Sequence, residues 1–151
     1  MKIARLYTRR IVGTNRSACL AEAAAAMRRF QVGTLLVMED PPAVGKAIGI
    51  VTDRDVALQG FASEASTVGD VMTPVVATVA ESADIHEALE LMRAHAVRRL
   101  VVANAEGGLC GILSIDDVVD GLSADLAAAA AVLRGEVRLD AAGLGEVKVG
   151  G

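Results

Sequence analysis

Two seven-residue segments set a hydroxyl three residues ahead of a carboxylate. Gly49-Ile50-Val51-Thr52-Asp53-Arg54-Asp55 and Gly111-Ile112-Leu113-Ser114-Ile115-Asp116-Asp117 both fit Gly-h-h-[Ser/Thr]-x-x-Asp, where h is apolar. Taken singly, such a segment caps a helix. The hydroxyl accepts a free backbone N–H and the acid complements the positive end of the helix dipole. Other side chains with chemical capacity are scattered. Ser114 and Cys110 have no histidine near them in sequence, and His86 and His95 sit without partners at metal-ligand spacing. No phosphate-loop or dinucleotide glycine fingerprint is present. Cys19 and Cys110 read as two small buried apolar side chains rather than a disulfide scaffold. Arginine supplies twelve of the fifteen basic residues, and arginine suits fixed phosphate or carboxylate contacts better than lysine.

The elements that must position these groups occur twice. At an offset of 65, Ser17-Ala18-Cys19-Leu20-Ala21-Glu22-Ala23 falls on Ser82-Ala83-Asp84-Ile85-His86-Glu87-Ala88, Met27-Arg28 on Met92-Arg93, and Leu35-Leu36-Val37 on Leu100-Val101-Val102. The offset becomes 62 at the two glycine-led segments, because the first copy carries three more residues around Pro41-Pro42. Each copy predicts a short strand (Arg10–Val12; Val75–Val79) and then a helix. The helix apolar residues are Leu20, Ala23, Ala24 and Met27 in one copy and Ile85, Ala88, Leu89 and Met92 in the other. Asp84-x-x-Glu87 predicts a capping box; Cys19, at the equivalent place, is a poor cap, with Ser17 as the alternative. Two hairpin strands follow (Thr34–Met38 with Ile48–Val51; Arg99–Ala103 with Gly111–Leu113), and a second helix begins at Asp53 or Ile115. The fold class is therefore α/β (α+β): two β-α-β-β-α repeats about a pseudo-twofold axis, at residues 1–60 and 61–122, followed by a C-terminal helix and tail at 123–151. One repeat cannot cover both faces of its sheet, whereas two can pack sheet on sheet and leave symmetric clefts between them. Ser123 predicts the cap of a separate helix, Ala124–Arg134. Glu136–Leu139 and Glu146–Val149 alternate as a small hairpin or a loose tail.

In this order the segments resemble a tandem pair of CBS domains, the regulatory modules named after cystathionine β-synthase. The match rests on the two Gly-h-h-[Ser/Thr]-x-x-Asp segments, on Gly69-Asp70-Val71-Met72-Thr73-Pro74 and on Val97-Arg98-Arg99-Leu100-Val101-Val102, and covers about Tyr7 to Leu122. Thr52-Asp53-Arg54-Asp55 is similar to the form found in small stand-alone bacterial CBS-pair proteins. The resemblance implies a non-enzymatic regulatory module that binds AMP, ADP, ATP, S-adenosylmethionine or NAD-like ligands between its repeats. It implies Asp55 and Asp117 as ribose ligands, Thr52 and Ser114 as phosphate contacts or positioners, and the backbone near Gly13-Thr14 and Thr78-Val79 as the reach to the base. Arg54 would contact a phosphate and Asp116, unless it points to solvent, would repel one, so the Asp55 cleft is expected to prefer phosphorylated nucleotide and the Asp117 cleft to be weaker, empty, or selective for a less negatively charged ligand. Arg98-Arg99 offers a second phosphate clamp, although strand alternation lets at most one of the two face a cleft; a surface or dimer salt bridge is the other role equally open to them. The resemblance further implies a homodimer acting on a separate protein partner. The rival expectation is a ligand-independent scaffold in which the motif only caps helices.

Composition narrows the field. The chain has 151 residues, 53% hydrophobic, with a formal charge of −4. That is enough for a core, too apolar for disorder, and too acidic for nonspecific nucleic-acid binding. Tyr7, Phe30 and Phe61 are too few for a base-stacking platform. No apolar run reaches membrane-spanning length, and Met1–Arg5 lacks a signal-peptide core, so a cytoplasmic location is expected.

Overall fold

A computed structural model describes residues 1–39, 46–60, 66–74 and 77–141. In the first repeat, β1 (Gly13–Asn15) leads through α1 (Leu20–Phe30) to β2 (Thr34–Met38), β3 (Ala47–Thr52) and α2 (Asp53–Gly60). A single-turn helix α3 (Val68–Val71) and β4 (Thr73–Pro74) open the second repeat. It continues as β5 (Thr78–Ala80), α4 (Ile85–Ala94), β6 (Arg99–Ala103), β7 (Leu109–Ser114) and α5 (Ile115–Ala141). The two sheets run β1-β2-β3-β4 and β5-β6-β7. The first strand of each repeat pairs parallel to the second, as a helical crossover requires, and the hairpins β2-β3 and β6-β7 pair antiparallel.

The fold class and the doubled order of elements are as the sequence predicts. Three details differ. The first strand of each repeat lies later than expected, at Gly13–Asn15 and Thr78–Ala80. Ile11 and Val12 are apolar because they pack against cores, not because they join the ladder, and Val75 lies outside the described residues. Cys19, not Ser17, is the cap residue of α1; it is exposed, and its N–H donates to Glu22 Oε2 at 2.9 Å. Finally, α5 passes through Ser123 without a break and includes residues 136–139, which were expected as a strand or loose tail. Ser123 follows residues already in helical conformation, so the high helix propensity of the following alanines simply extends the helix. The second predicted tail strand lies outside the described residues.

Each repeat lends its leading segment to the other. β4, at the start of repeat two, pairs antiparallel with β3 of repeat one through Gly49↔Pro74 and Ile50↔Thr73. At the pseudo-equivalent place, Thr8 N–H donates to the Ile112 carbonyl at 3.0 Å, and Ile112 N–H to the Thr8 carbonyl at 3.1 Å. Ile3 opens a 3-10 turn and Val68 opens α3, 65 positions apart, and both are fully buried. Ile3 and Tyr7 pack with Val79, Ala88, Leu100 and Leu113 in the second repeat's core, while Val68 packs with Leu20, Leu35 and Val51 in the first. Each such side chain contributes about 1.5–3 kcal/mol by burial, so the exchange couples the repeats as well as joining them. A third cluster, Leu36, Ile50 and Val101, packs sheet against sheet between the repeats.

Two carboxylates that cap helices respond to pH. The Thr67 N–H and hydroxyl hold Asp70 below the usual carboxylate range, and the Glu87 and His86 N–H groups do the same for Asp84. A carboxyl depressed in the fold stabilises it above its unfolded pKa, about 3.9, and loses that contribution as pH falls through the folded value. The melting temperature is therefore expected to fall below about pH 4, and to fall less steeply when Asp70→Asn and Asp84→Asn are combined. An unchanged acid slope in that double variant would contradict the assignment.

Candidate functional site

The two glycine-led segments each carry the chain from a strand into a helix, and the local geometry is the same in both. Thr52 N–H and Oγ1 both donate to Asp55 Oδ2, each at 2.9 Å, while Asp55 N–H donates to Thr52 Oγ1 at 3.2 Å. Ser114 N–H and Oγ donate to Asp117 Oδ2 at 2.8 and 2.6 Å, and Asp117 N–H returns to Ser114 Oγ at 3.1 Å. One oxygen of each carboxylate thus serves the cap, and Oδ1 takes no part in it. Both Asp side chains and both hydroxyls are half-buried.

The motif glycines have a separate role. A Cβ at Gly111 would overlap the Thr8 carbonyl oxygen and the Tyr7 ring, and one at Gly49 would overlap Met72 Sδ and sit 3.0 Å from the Thr73 carbonyl oxygen. Glycine is required because the other repeat's leading segment crosses directly over it. Tyr7 anchors that crossing. It is 6% exposed, its hydroxyl donates to Glu81 Oε1 at 2.5 Å, and the Arg9 guanidinium stacks 4.6 Å from its ring centroid. The hydrogen bond to Glu81 pushes the Tyr7 hydroxyl above its ordinary pKa.

Each motif opens onto a cleft between the repeats. The first, of about 390 Å³, takes Ile50, Thr52, Asp53, Arg54 and Asp55 from repeat one. Its other wall is Thr73, Pro74, Ala77, Val97, Arg98, Arg99, Val101 and Asp116 of repeat two. The second, of about 260 Å³, takes Ile112, Ser114, Asp117 and Arg99 from repeat two and Thr8, Arg10, Val32, Gly33 and Thr34 from repeat one. The repeat offsets carry one lining onto the other: Ile50 onto Ile112, Thr52 onto Ser114, Asp55 onto Asp117, Thr73 onto Thr8, Val97 onto Val32. An apolar strand wall, a hydroxyl and carboxylate at a helix start, and nearby guanidinium groups make each cleft suited to a ligand with a flat apolar part, vicinal hydroxyls and an anionic end.

The structure brings Thr52, Arg54 and Asp55 together in one cleft, and Ser114 and Asp117 in the other. Gly13, Thr14, Thr78 and Val79 line neither; Val79 is 1% exposed within a core. Because the first strands begin later than expected, residues just before them, Thr8 and Arg10 in one repeat and Thr73, Pro74 and Ala77 in the other, face the clefts instead. Asp116 lines the Asp55 cleft rather than standing against a ligand beside Asp117. Successive helix residues point about 100° apart, which turns Asp116 from its neighbour's cleft. The repulsion expected of Asp116 beside Asp117 is thereby removed, while Arg54 lines the Asp55 cleft as expected. Arg98 and Arg99 both line the first cleft, since Arg98 precedes β6 and strand alternation does not govern it. Arg98 also lies 3.9 Å from Asp116, both largely exposed. Sequence reasoning missed the contributions of Thr8, Arg10, Thr34 and Ala77; those of Thr8, Arg10 and Ala77 follow the exchange of leading segments, for which the 65-residue offset of Thr8 and Thr73 was the available signal, and Thr34 stands at the start of β2.

Comparisons with known proteins agree with this architecture. The profile of the CBS domain matches residues 68–124. An uncharacterized protein of Bacillus subtilis is 35% identical over 100 residues, covering 64% of this chain and 66% of that one. The inosine-5'-monophosphate dehydrogenase of Methanocaldococcus jannaschii is 34% identical over 100 residues, which are 66% of this chain but 19% of the enzyme. Among solved structures, a CBS domain protein of Pyrobaculum aerophilum complexed with AMP is 27% identical, with a TM-score of 0.62, covering 78% of this chain and 89% of that one. The chain belongs to the CBS-domain family and holds a pair of the repeats. Among the described residues, no helix is long and apolar enough to cross a membrane.

Proposed function

We propose that the chain is a regulatory module that binds an adenosine-containing nucleotide in the clefts between its repeats. The observation that carries this reading is the doubled site: two clefts related by the repeat, each with a motif carboxylate whose Oδ1 is left out of the cap. Asp55 and Asp117 accept the ribose hydroxyls, Thr52 and Ser114 help orient the phosphate, and Arg54, Arg10 and Arg99 draw it in. Adenine lies against the apolar walls at Ile50 and Val101, and at Ile112 and Val32. The AMP complex of the Pyrobaculum relative supports the ligand class. Ligand closes the repeats on each other, and the altered surface is read by a separate protein partner, with the module acting as a cytoplasmic homodimer and without catalysis of its own.

One observation favours the scaffold reading. Thr67 and Asp70 form the same cap, with Thr67 N–H and Oγ1 donating to Asp70 Oδ2 at 2.8 and 3.0 Å, yet neither lines a cleft. The motif hydrogen bonds therefore have a purely structural use as well. A thermal-shift panel of AMP, ADP, ATP, S-adenosylmethionine and NAD separates the two readings. Binding to the native state alone stabilises by about 2.7 kcal/mol at a hundredfold excess over Kd, so at least one of these is expected to raise the melting temperature by several degrees. No shift at millimolar concentration with any of them would favour the scaffold.

A further inference from the structure

Arg99 belongs to both clefts. It lines the first beside Arg54 and Asp55 and the second beside Ser114 and Asp117. The reason is its place at the start of β6, where its ladder partner is Ser114 of the second motif while its own strand forms a wall of the first cleft. The repeat-equivalent residue is Thr34, which lines only the second cleft and is too short to span two. Arg99 is half-buried, and its side chain has no carboxylate partner among the described residues. In the first cleft three arginines face three aspartates, Asp53, Asp55 and Asp116; Arg98 pairs with Asp116, and among the described residues Arg54 and Arg99 make no ion pair. In the second, Arg10 and Arg99 face Asp117. Setting aside Arg98, which is held to Asp116, each cleft thus has one arginine of its own and a share in Arg99.

We infer that Arg99 is a shared anion ligand that makes the two clefts compete. This rests on the nucleotide reading above. A planar guanidinium can meet one phosphate in bidentate fashion, not two in different clefts at once. The first anionic ligand takes Arg99, and the second binds with Arg10 or Arg54 alone. Losing one charge-assisted contact lowers its affinity by roughly tenfold or more. The coupling is reciprocal, so it appears whichever cleft fills first.

Calorimetric titration of the intact chain with AMP tests this, alongside Arg99→Thr, which makes the position match its repeat counterpart, and Arg99→Gln, which keeps the reach and removes the charge. The native protein is expected to bind a first AMP tightly and a second roughly tenfold more weakly. In both variants the tight event weakens about tenfold and the two sites become equal within about threefold. Simple repulsion between two bound anions predicts the opposite, since removing a cation leaves the gap as large or widens it. Two equal sites in the native protein, or a gap that survives both substitutions, would overturn the coupling while leaving the nucleotide reading intact. Absence of any AMP binding would overturn both.

Discussion

Gly111→Ala is expected to be the most destabilising single-methyl change in the molecule, lowering stability by about 3 kcal/mol and the melting temperature by roughly 10 °C. The new Cβ would overlap a backbone carbonyl at Thr8 and the ring of Tyr7. Neither can yield cheaply. The Thr8 carbonyl accepts the Ile112 N–H at 3.1 Å, and the Tyr7 ring is clamped between the core, Glu81 and Arg9. Relief requires the N-terminal segment to lift off β7, which would expose Ile3 and Tyr7 and open the second cleft at Thr8 and Arg10. Gly49→Ala should cost less, because the atom it meets first is the sulfur of Met72, which can swing aside. Gly135→Ala meets nothing within 4 Å on α5 and should be neutral or stabilising through helix propensity. Thermal melts of the three variants give this order or refute it. A Gly111→Ala protein within 2 °C of the native one would mean that the leading segment does not cross there.

The second large effect concerns ligand. Asp55→Ala and Asp117→Ala are each expected to weaken AMP binding in their own cleft by at least tenfold, since each removes the carboxylate proposed to accept the ribose hydroxyls. Each also removes a cap, at a cost of about 1 kcal/mol and 2–4 °C in the absence of ligand. Asp70→Ala separates the two consequences. It breaks a cap of the same pattern, Thr67-x-x-Asp70, at a residue that lines neither cleft. It should lower the melting temperature comparably and leave AMP affinity unchanged. If Asp70→Ala weakened AMP binding as much as Asp55→Ala does, the effect would be one of stability, and the motif acids would be caps alone.

Much of this architecture was legible in the chain itself, because its signals are local. The 3.6-residue spacing of Leu20, Ala23 and Met27 marks a helix whose buried face is those residues, and the β2 and β6 boundaries fall where their apolar runs end. The starts of α2 and α5 follow from Thr52-x-x-Asp55 and Ser114-x-x-Asp117, whose hydrogen bonds are made within four residues of chain. What local pattern could not supply was the partner of each leading segment. Thr8 and Thr73 pair with strands of the opposite repeat, across 104 and 23 positions of sequence, and nothing in their own side chains encodes that choice. Part of each cleft wall comes from this exchange, so the motif acids could be named from sequence while Arg10 and Ala77 could not. The late start of β1 was hidden too: Ile11 is apolar for packing between the repeats and Val12 for packing in the first repeat's core, and a three-residue ladder leaves no periodicity to read. At Asp116 and Arg98, helix rotation and strand limits, not residue type, decide which cleft a charge faces.

A crystal structure of the chain grown with AMP is the most direct test. The nucleotide is expected between the repeats, its ribose hydroxyls on Asp55 Oδ1 or Asp117 Oδ1, its base on the apolar wall of the same cleft, and its phosphate on Arg99. AMP bound away from both motif acids, or clefts left empty under saturating AMP, would contradict the assignment of these clefts as the nucleotide site.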